Sequence, residues 1–241
     1  MKKKRIALST TQYIMLSFIF VIFMGSLLLS LPISAADGKS VSYVDALFTA
    51  TTATCVTGLV TMPTVTTWSV FGQVVILCLI QLGGLGVITV ISGFMIVLHK
   101  KIGISDRLLL QDAFNLNTLS GLVKFVKKVI TGTFIIEGIG ALLYMVVFVP
   151  QYGAKGVWIS IFNSVSAFCN AGIDIISENS LCGYATNPII NIVTSFLIVT
   201  GGIGYVVWWD LIRVVKLYKT HRMNCFKRMT LHSKIAIYMT V

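Results

Sequence analysis

The chain has 241 residues, 56% of them hydrophobic and only 11% charged. That balance excludes an ordinary soluble domain and puts an integral membrane protein first. The net charge of +11 would suit a nucleic-acid binder, but seventeen of the nineteen Lys and Arg fall into three clusters, within residues 2–5, 100–128 and 213–234. The stretches between them carry only Lys39 and Lys155. Alternate connections are therefore basic, the positive-inside pattern, so membrane lipid rather than nucleic acid is the expected surrounding.

Residues 1–36 have the outline of a secretory signal, KKKR followed by an apolar run. That run covers residues 14–33, longer than the roughly 7–15 residues of such a segment. An uncleaved first span ending near Pro32 is expected, with the N-terminus cytoplasmic. A short outer connection with Asp37, Gly38 and Lys39 follows. Residues 45–59 then read DALFTATTATCVTGL. Their helix-compatible part is about ten residues, or about 15 Å, half of a ~30 Å hydrocarbon core. It ends in a small polar stretch closing on Gly58. Backbone of that kind is tolerated at membrane depth only when buried in protein or lining a water-filled path. Residues 45–59 are accordingly expected to form a re-entrant pore loop, with Asp45 as an acidic cap on its helix.

Trp68 suits a membrane interface, and a second span is expected over residues 70–98. It contains Gln81-Leu82-Gly83-Gly84-Leu85-Gly86. No Lys-Ser/Thr follows, so close helix packing or local unwinding is a better reading than a phosphate loop. The basic stretch 99–128 includes SDRLLLQDAF, an amphipathic piece expected along the inner surface. A third span covers residues 129–149, ending at Pro150, and holds Glu137. A carboxylate there must face protein or water. It is either a cation-attracting or proton-handling group, or a structural acid hydrogen-bonded to a neighbouring helix or loop.

Residues 151–157 read as an outer turn, and 159–173, ISIFNSVSAFCNAGI, repeat the earlier loop at an offset of 114: Phe48/Phe162, Ala53/Ala167, Cys55/Cys169 and Gly58/Gly172. Asp174 and Glu178 join Asp37 and Asp45 in a weakly negative outer face that enriches cations. A fourth span over 189–215 carries Thr200-Gly201-Gly202-Ile203-Gly204, with Trp208, Trp209 and Asp210 as an interface anchor at its inner end. Another apolar run begins at Ile235. The expected fold class is all-α integral membrane, two tandem parallel repeats of helix, re-entrant pore loop and helix, potassium-channel-like, with four full spans and the start of a fifth. The expected divisions are 1–98, 99–128, 129–215 and 216–241. Five cysteines without a CxxC pair and three scattered histidines suggest neither disulfides nor a metal centre beyond a transported ion. No nucleophile, base and orienting group can be assembled, so no enzyme is expected.

TATCVTGL (52–59), IQLGGLGVIT (80–89), SAFCNAGID (166–174) and TGGIGY (200–205), with these spacings, closely resemble the membrane subunit of the Trk/Ktr/HKT superfamily of potassium transporters, the Ktr (NtpJ-like) branch in particular. The resemblance implies K+ or Na+ transport across the plasma membrane by a multi-pass protein, with the alkali ion as cargo and no covalent cofactor. By motif, Thr54, Cys55, Val56, Thr57 and Gly58 would form one ion-filter segment, and Phe168, Cys169, Asn170, Ala171 and Gly172 the next, with Glu137 and Asp174 as accessory acids. Glycine at position 58 matches potassium-preferring members. A homodimer and a cytosolic nucleotide-binding regulatory subunit are also implied. Members carry four such repeats in one polypeptide. Here there are two, and LHSKIAIYMTV (231–241) resembles the opening of a third, so an N-terminal half is expected. The alternative to a conducting subunit is a non-conducting half that supplies two pore loops to an assembly.

Overall fold

The computed structural model describes residues 9–98, 103, 108–109, 121–221 and 229–240. Among them every regular element is helical, apart from one isolated bridge between Ala35 and Trp68. The basic residues 2–5, Lys100, Lys101 and Arg107, Cys225, and nearly all of the amphipathic stretch 105–114 lie outside the described residues.

Helix α1, Thr10–Leu29, starts where Ser9 accepts from the Gln12 amide while Gln12 Oε1 accepts from the Ser9 amide (2.9 Å), a capping box that satisfies two otherwise orphaned donors. It ends before Pro32, which opens a 3-10 turn, Pro32–Ser34. Helix α2, Tyr43–Cys55, has 13 residues. Helix α3, Val70–Leu85, leads into α4, Val87–Val97. Helix α5, Leu122–Tyr152, is the longest described, and a single glycine separates it from α6, Ala154–Phe168. Helices α7, Pro188–Gly202, and α8, Tyr205–His221, follow, and then α9, Leu231–Thr240.

Two helices, α1 and α5, are long and apolar enough to cross a membrane by themselves. The second and fourth spans are each broken, at the glycine clusters for which close packing or local unwinding is expected. Helices α3 and α4 meet at 97°, and α7 and α8 at 99°. The break falls on the third glycine of each cluster, Gly86 with φ +80° and Gly204 with φ +90°. A right-handed helix cannot pass through that backbone state, and glycine enters it without a side-chain clash. Each new helix starts on the breaking glycine's carbonyl, which accepts from Val90 and Thr89 in one case and from Val207 and Trp208 in the other. With each bent pair taken as one span, up to four segments among the described residues are long and apolar enough to cross.

Helix α5 begins seven residues before the third span was expected, so Lys124, Lys127 and Lys128 lie on its first turns. It also runs through Pro150. That proline stands close enough to the helix end to sacrifice little of the ladder. Gly153, with φ +58°, makes the turn alone, so α6 starts within the stretch expected as an outer turn.

The main core is shared by both halves. It joins Ala46, Ala50 and Ala53 of α2, Ile76 and Ile80 of α3, Phe148 of α5, Phe162 and Phe168 of α6, and Leu197 of α7. Trp68 is buried in this core at 2% exposure rather than placed at an interface. Its carbonyl accepts from Gln73, whose Oε1 in turn accepts from Trp158 (2.8 Å), so a buried amide links the halves. Large apolar side chains on α1, including Met15, Ile19 and Phe20, are exposed. For a helix of 20 residues, about 30 Å long, such a surface fits hydrocarbon.

Candidate functional site

Helices α2 and α6 are too short to cross, and each delivers a returning segment. The segments share backbone geometry at the offset of 114 visible in the sequence. Helix α2 ends on Val56 in the left-handed region (φ +49°), and Asn170, its counterpart after α6, has φ +58°. Two residues later come Gly58 (φ +76°) and Gly172 (φ +68°). The Thr57 amide donates five residues back to the Thr52 carbonyl (3.1 Å), and the Ala171 amide donates to the Ser166 carbonyl (2.8 Å). Both bonds tighten the helix end, as wide C-terminal turns do.

Glycines of the bent helices cradle these ends. A Cβ at Gly83 would lie 2.8 Å from the Thr54 carbonyl carbon, and one at Gly201 would lie 2.8 Å from that of Phe168. Neither could be accommodated without moving backbone. The first glycine of each cluster thus allows contact, and the third breaks the helix.

Among the described residues, the carbonyls of Thr54, Cys55, Val56, Thr57 and Gly58, and of Phe168, Cys169, Asn170, Ala171 and Gly172, accept no hydrogen bond. Backbone oxygens without partners are costly at membrane depth unless water or a cation meets them. The two segments also touch. A Cβ on Gly58 would lie 2.8 Å from the Ala171 oxygen and 3.5 Å from Gly172 Cα. Ten candidate residues are therefore brought into one neighbourhood, though not as equivalents. Cys55 and Thr57 are exposed, whereas their counterparts Cys169 and Ala171 are buried. Thr54 and Phe168 are buried, Val56 and Gly58 are half-buried, and Asn170 and Gly172 are exposed.

Two hydroxyls that sequence reading missed hold the segments. Thr52 Oγ1 bonds Thr57 Oγ1 at 2.6 Å, and Ser166, its counterpart, accepts from the Ile173 amide (3.1 Å) and donates to the Ile173 carbonyl. The offset of 114 aligns the two hydroxyl residues, a signal that sequence alone contains.

The accessory acids both lie beside the second segment. Asp174 accepts from the Ile176 amide (3.1 Å) and, with Asn170, Gly172, Asn163, Tyr144 and Thr194, lines a cavity of about 260 Å3. Glu137 is 4% exposed and accepts from Gln81 Nε2 at 3.4 Å. Cys169 Sγ stands 4.0 Å from Glu137 Oε1 and 4.0 Å from Gln81 Oε1. Asp45 lies in the first turn of α2, but the residue at the cap position is Ser42, and no side chain makes a capping bond there. Trp208 is half-buried. Its indole donates to the Thr200 carbonyl (2.8 Å) and packs edge-on against Phe168. Trp209 lies under Lys128 Nζ, 5.0 Å from the ring centre. Asp210 is buried and bonds Arg213 and Thr230. The four described cysteines are free thiols, and no metal-ligand cluster occurs among the described residues.

Among the described residues the elements are helical, with apolar segments long enough to cross a membrane and two shorter helices followed by unbonded backbone oxygens, which is the make-up of a membrane protein. Residues 2–238 match the TrkH family, described as cation transport protein, and the chain belongs to that family. It is 43% identical over 240 residues to the potassium/sodium uptake protein NtpJ of Enterococcus hirae, covering 99% of this chain and 51% of that protein. It is 41% identical over 239 residues to the Ktr system potassium uptake protein B of Bacillus subtilis, covering 99% and 51%. The protein of the same name from Vibrio alginolyticus is 31% identical over 228 residues, covering 94% and 48%. The chain spans about half the length of the curated relatives it matches.

Proposed function

We propose that this chain forms part of the conducting path of a Ktr/Trk-type uptake system, moving K+ or Na+ inward across the plasma membrane. Helices α2 and α6 act as pore helices of two tandem, parallel repeats. Residues 54–58 and 168–172 line the filter, and the N-terminus lies in the cytoplasm. The observation that carries this reading is the pair of returning segments, each with a positive-φ glycine and unbonded carbonyls, that meet at Gly58 and Gly172. A dehydrated alkali ion needs oxygens in place of its water, and backbone carbonyls provide them without full charge. The C-terminal ends of α2 and α6 face the same segments and add partial negative charge there.

The relatives' names, potassium/sodium uptake protein and Ktr system protein, support the ion class and a system of more than one component. A homodimer and a cytosolic nucleotide-binding subunit complete the proposal. The test is growth at limiting K+ of a strain lacking its own uptake systems. Gly58→Ala and Gly172→Ala should each impair rescue, and full rescue by both would reject the filter assignment. In a second reading, these two repeats do not conduct by themselves and supply two loops to an assembly. Uptake by this chain alone, compared with uptake when a relative's second half is co-expressed, separates the two.

A further inference from the structure

The second returning segment has a support that the first lacks, and that support comes from the other half of the chain. Gly84 of α3 leaves room for Cys169: a Cβ there would lie 2.6 Å from Cys169 Cβ. One helical turn earlier on α3, Gln81 reaches both Cys169 and Glu137. Glu137 is itself fastened to α6, because its backbone carbonyl accepts from Ser164 Oγ at 2.6 Å, five residues before Cys169. Three elements from two halves thus converge on one thiol. At the offset of 114 from Glu137 stands Phe23, 49% exposed, and Val199, at the spacing that maps Gly83 to Gly201, is the counterpart of Gln81, 43% exposed. Cys55, the counterpart of Cys169, is exposed with no such pair beside it.

We infer that Gln81 and Glu137 are positioning residues that hold the second segment through Cys169, and that this hold sets the segment's discrimination between K+ and Na+. The part concerning ions rests on the proposed function; the part concerning position does not. A carbonyl cage discriminates by geometry only if its supporting shell keeps it within about 0.5 Å, which is the usual tolerance of a functional site. Gln81 and Glu137 supply that shell from α3 and α5, one from each half of the chain.

The positional claim is read by N-ethylmaleimide labelling of Cys169 in the full chain, with Cys55, Cys78, Cys182 and Cys225 changed to serine. A cavity of about 350 Å3 lined by Cys78, Gln81, Glu137 and Val165 adjoins the two residues that stand against Cys169. Glu137→Leu and Gln81→Leu keep the bulk and lose the polar contacts. Each should raise the labelling rate about tenfold or more through local opening, and Glu137→Gln should stay near the parent rate. Unchanged labelling in both leucine variants would overturn the inference. With native cysteines, the K+ to Na+ uptake ratio should fall in the leucine variants and recover in Glu137→Gln. An unchanged ratio alongside raised labelling would overturn the selectivity claim. If the unmutated chain carries no ion while labelling responds as expected, the positional claim stands and the transport reading fails.

Discussion

Gly58 and Gly172 lie against each other: each would place a Cβ 3.5 Å from the other's Cα, and Gly58 alone would also press 2.8 Å from the Ala171 carbonyl oxygen. This asymmetry ranks two substitutions that the sequence treats alike. Both alanine variants pay for a left-handed backbone, about 1–3 kcal/mol. Only Gly58→Ala must also displace a carbonyl proposed to face the ion. Gly58→Ala should therefore reduce uptake rate at saturating K+ more than Gly172→Ala does, measured as initial rates in the same cells at matched protein levels.

The hydroxyls behind the segments differ in what their loss leaves exposed. Ser166→Ala strips the partner from the Ile173 amide, in a residue only 2% exposed, and an unsatisfied buried donor costs about 1–3 kcal/mol. Thr52→Val removes one hydroxyl from a pair whose other member, Thr57, is exposed and can turn to another partner. Ser166→Ala should lower the midpoint of thermal unfolding in detergent more than Thr52→Val. An equal loss would mean that the Ser166 contacts contribute no more than the Thr52 pair.

What the sequence revealed, and what it hid, follows from where the determining contacts lie. Cys55, Gly58, Cys169 and Gly172 were legible because a local need repeats, a short helix ending in a turn that glycine permits. The doubling of residues 83–84 and 201–202 was legible as close packing for the same reason. The helix breaks were legible only as the local unwinding that a glycine cluster permits, not as bends near a right angle. LGGLGVITVISGF is apolar apart from Thr89 and Ser92, and nothing in composition distinguishes the glycine that bends the chain from the two that only admit a neighbour. Trp68 and Trp208 read as interface residues because tryptophan is common there, whereas their partners, Gln73 and Phe168, are fixed only by tertiary packing. The Gln81 contact to Glu137 spans 56 residues and leaves no periodic trace.

Adjacent glycines in one cluster should behave differently when each is changed to alanine. At Gly201 the added methyl would meet the Phe168 backbone, and at Gly202 its nearest neighbour is the Asn170 amide at 3.5 Å, an ordinary contact. Backbone cannot swing aside as a side chain can, so Gly201→Ala should cost at least the 1–3 kcal/mol or so typical of overpacking, and Gly202→Ala well under that. The fraction recovered as a single species by size-exclusion chromatography in detergent checks the order. Comparable recovery of both would show that α7 can shift away from the second segment.

The start of α9 depends on Asp210. Its Oδ2 accepts from the Thr230 amide (2.8 Å) and hydroxyl (2.9 Å), and Thr230 Oγ1 accepts from the Ser233 amide (3.3 Å), which makes Thr230 the cap of that helix. Met229 and Ser233 are buried against this contact, so water replaces the lost partners poorly. Asp210→Ala removes both of these bonds as well as the Arg213 ion pair, and bonds to charged groups are worth about 1.5–3 kcal/mol each at most. Thr230→Ala removes the cap, worth about 0.5–2 kcal/mol, but leaves its own amide still bonded to Asp210. Hydrogen exchange of the first-turn amides of α9 should accelerate in both variants, and further in Asp210→Ala. Because α8 and α9 meet chiefly through this clamp and a small cluster of Val214 and Met229, protection elsewhere in the core should stay unchanged. Acceleration that spread into α5 and α6 would instead mean that the inner end of the chain is coupled to the returning segments.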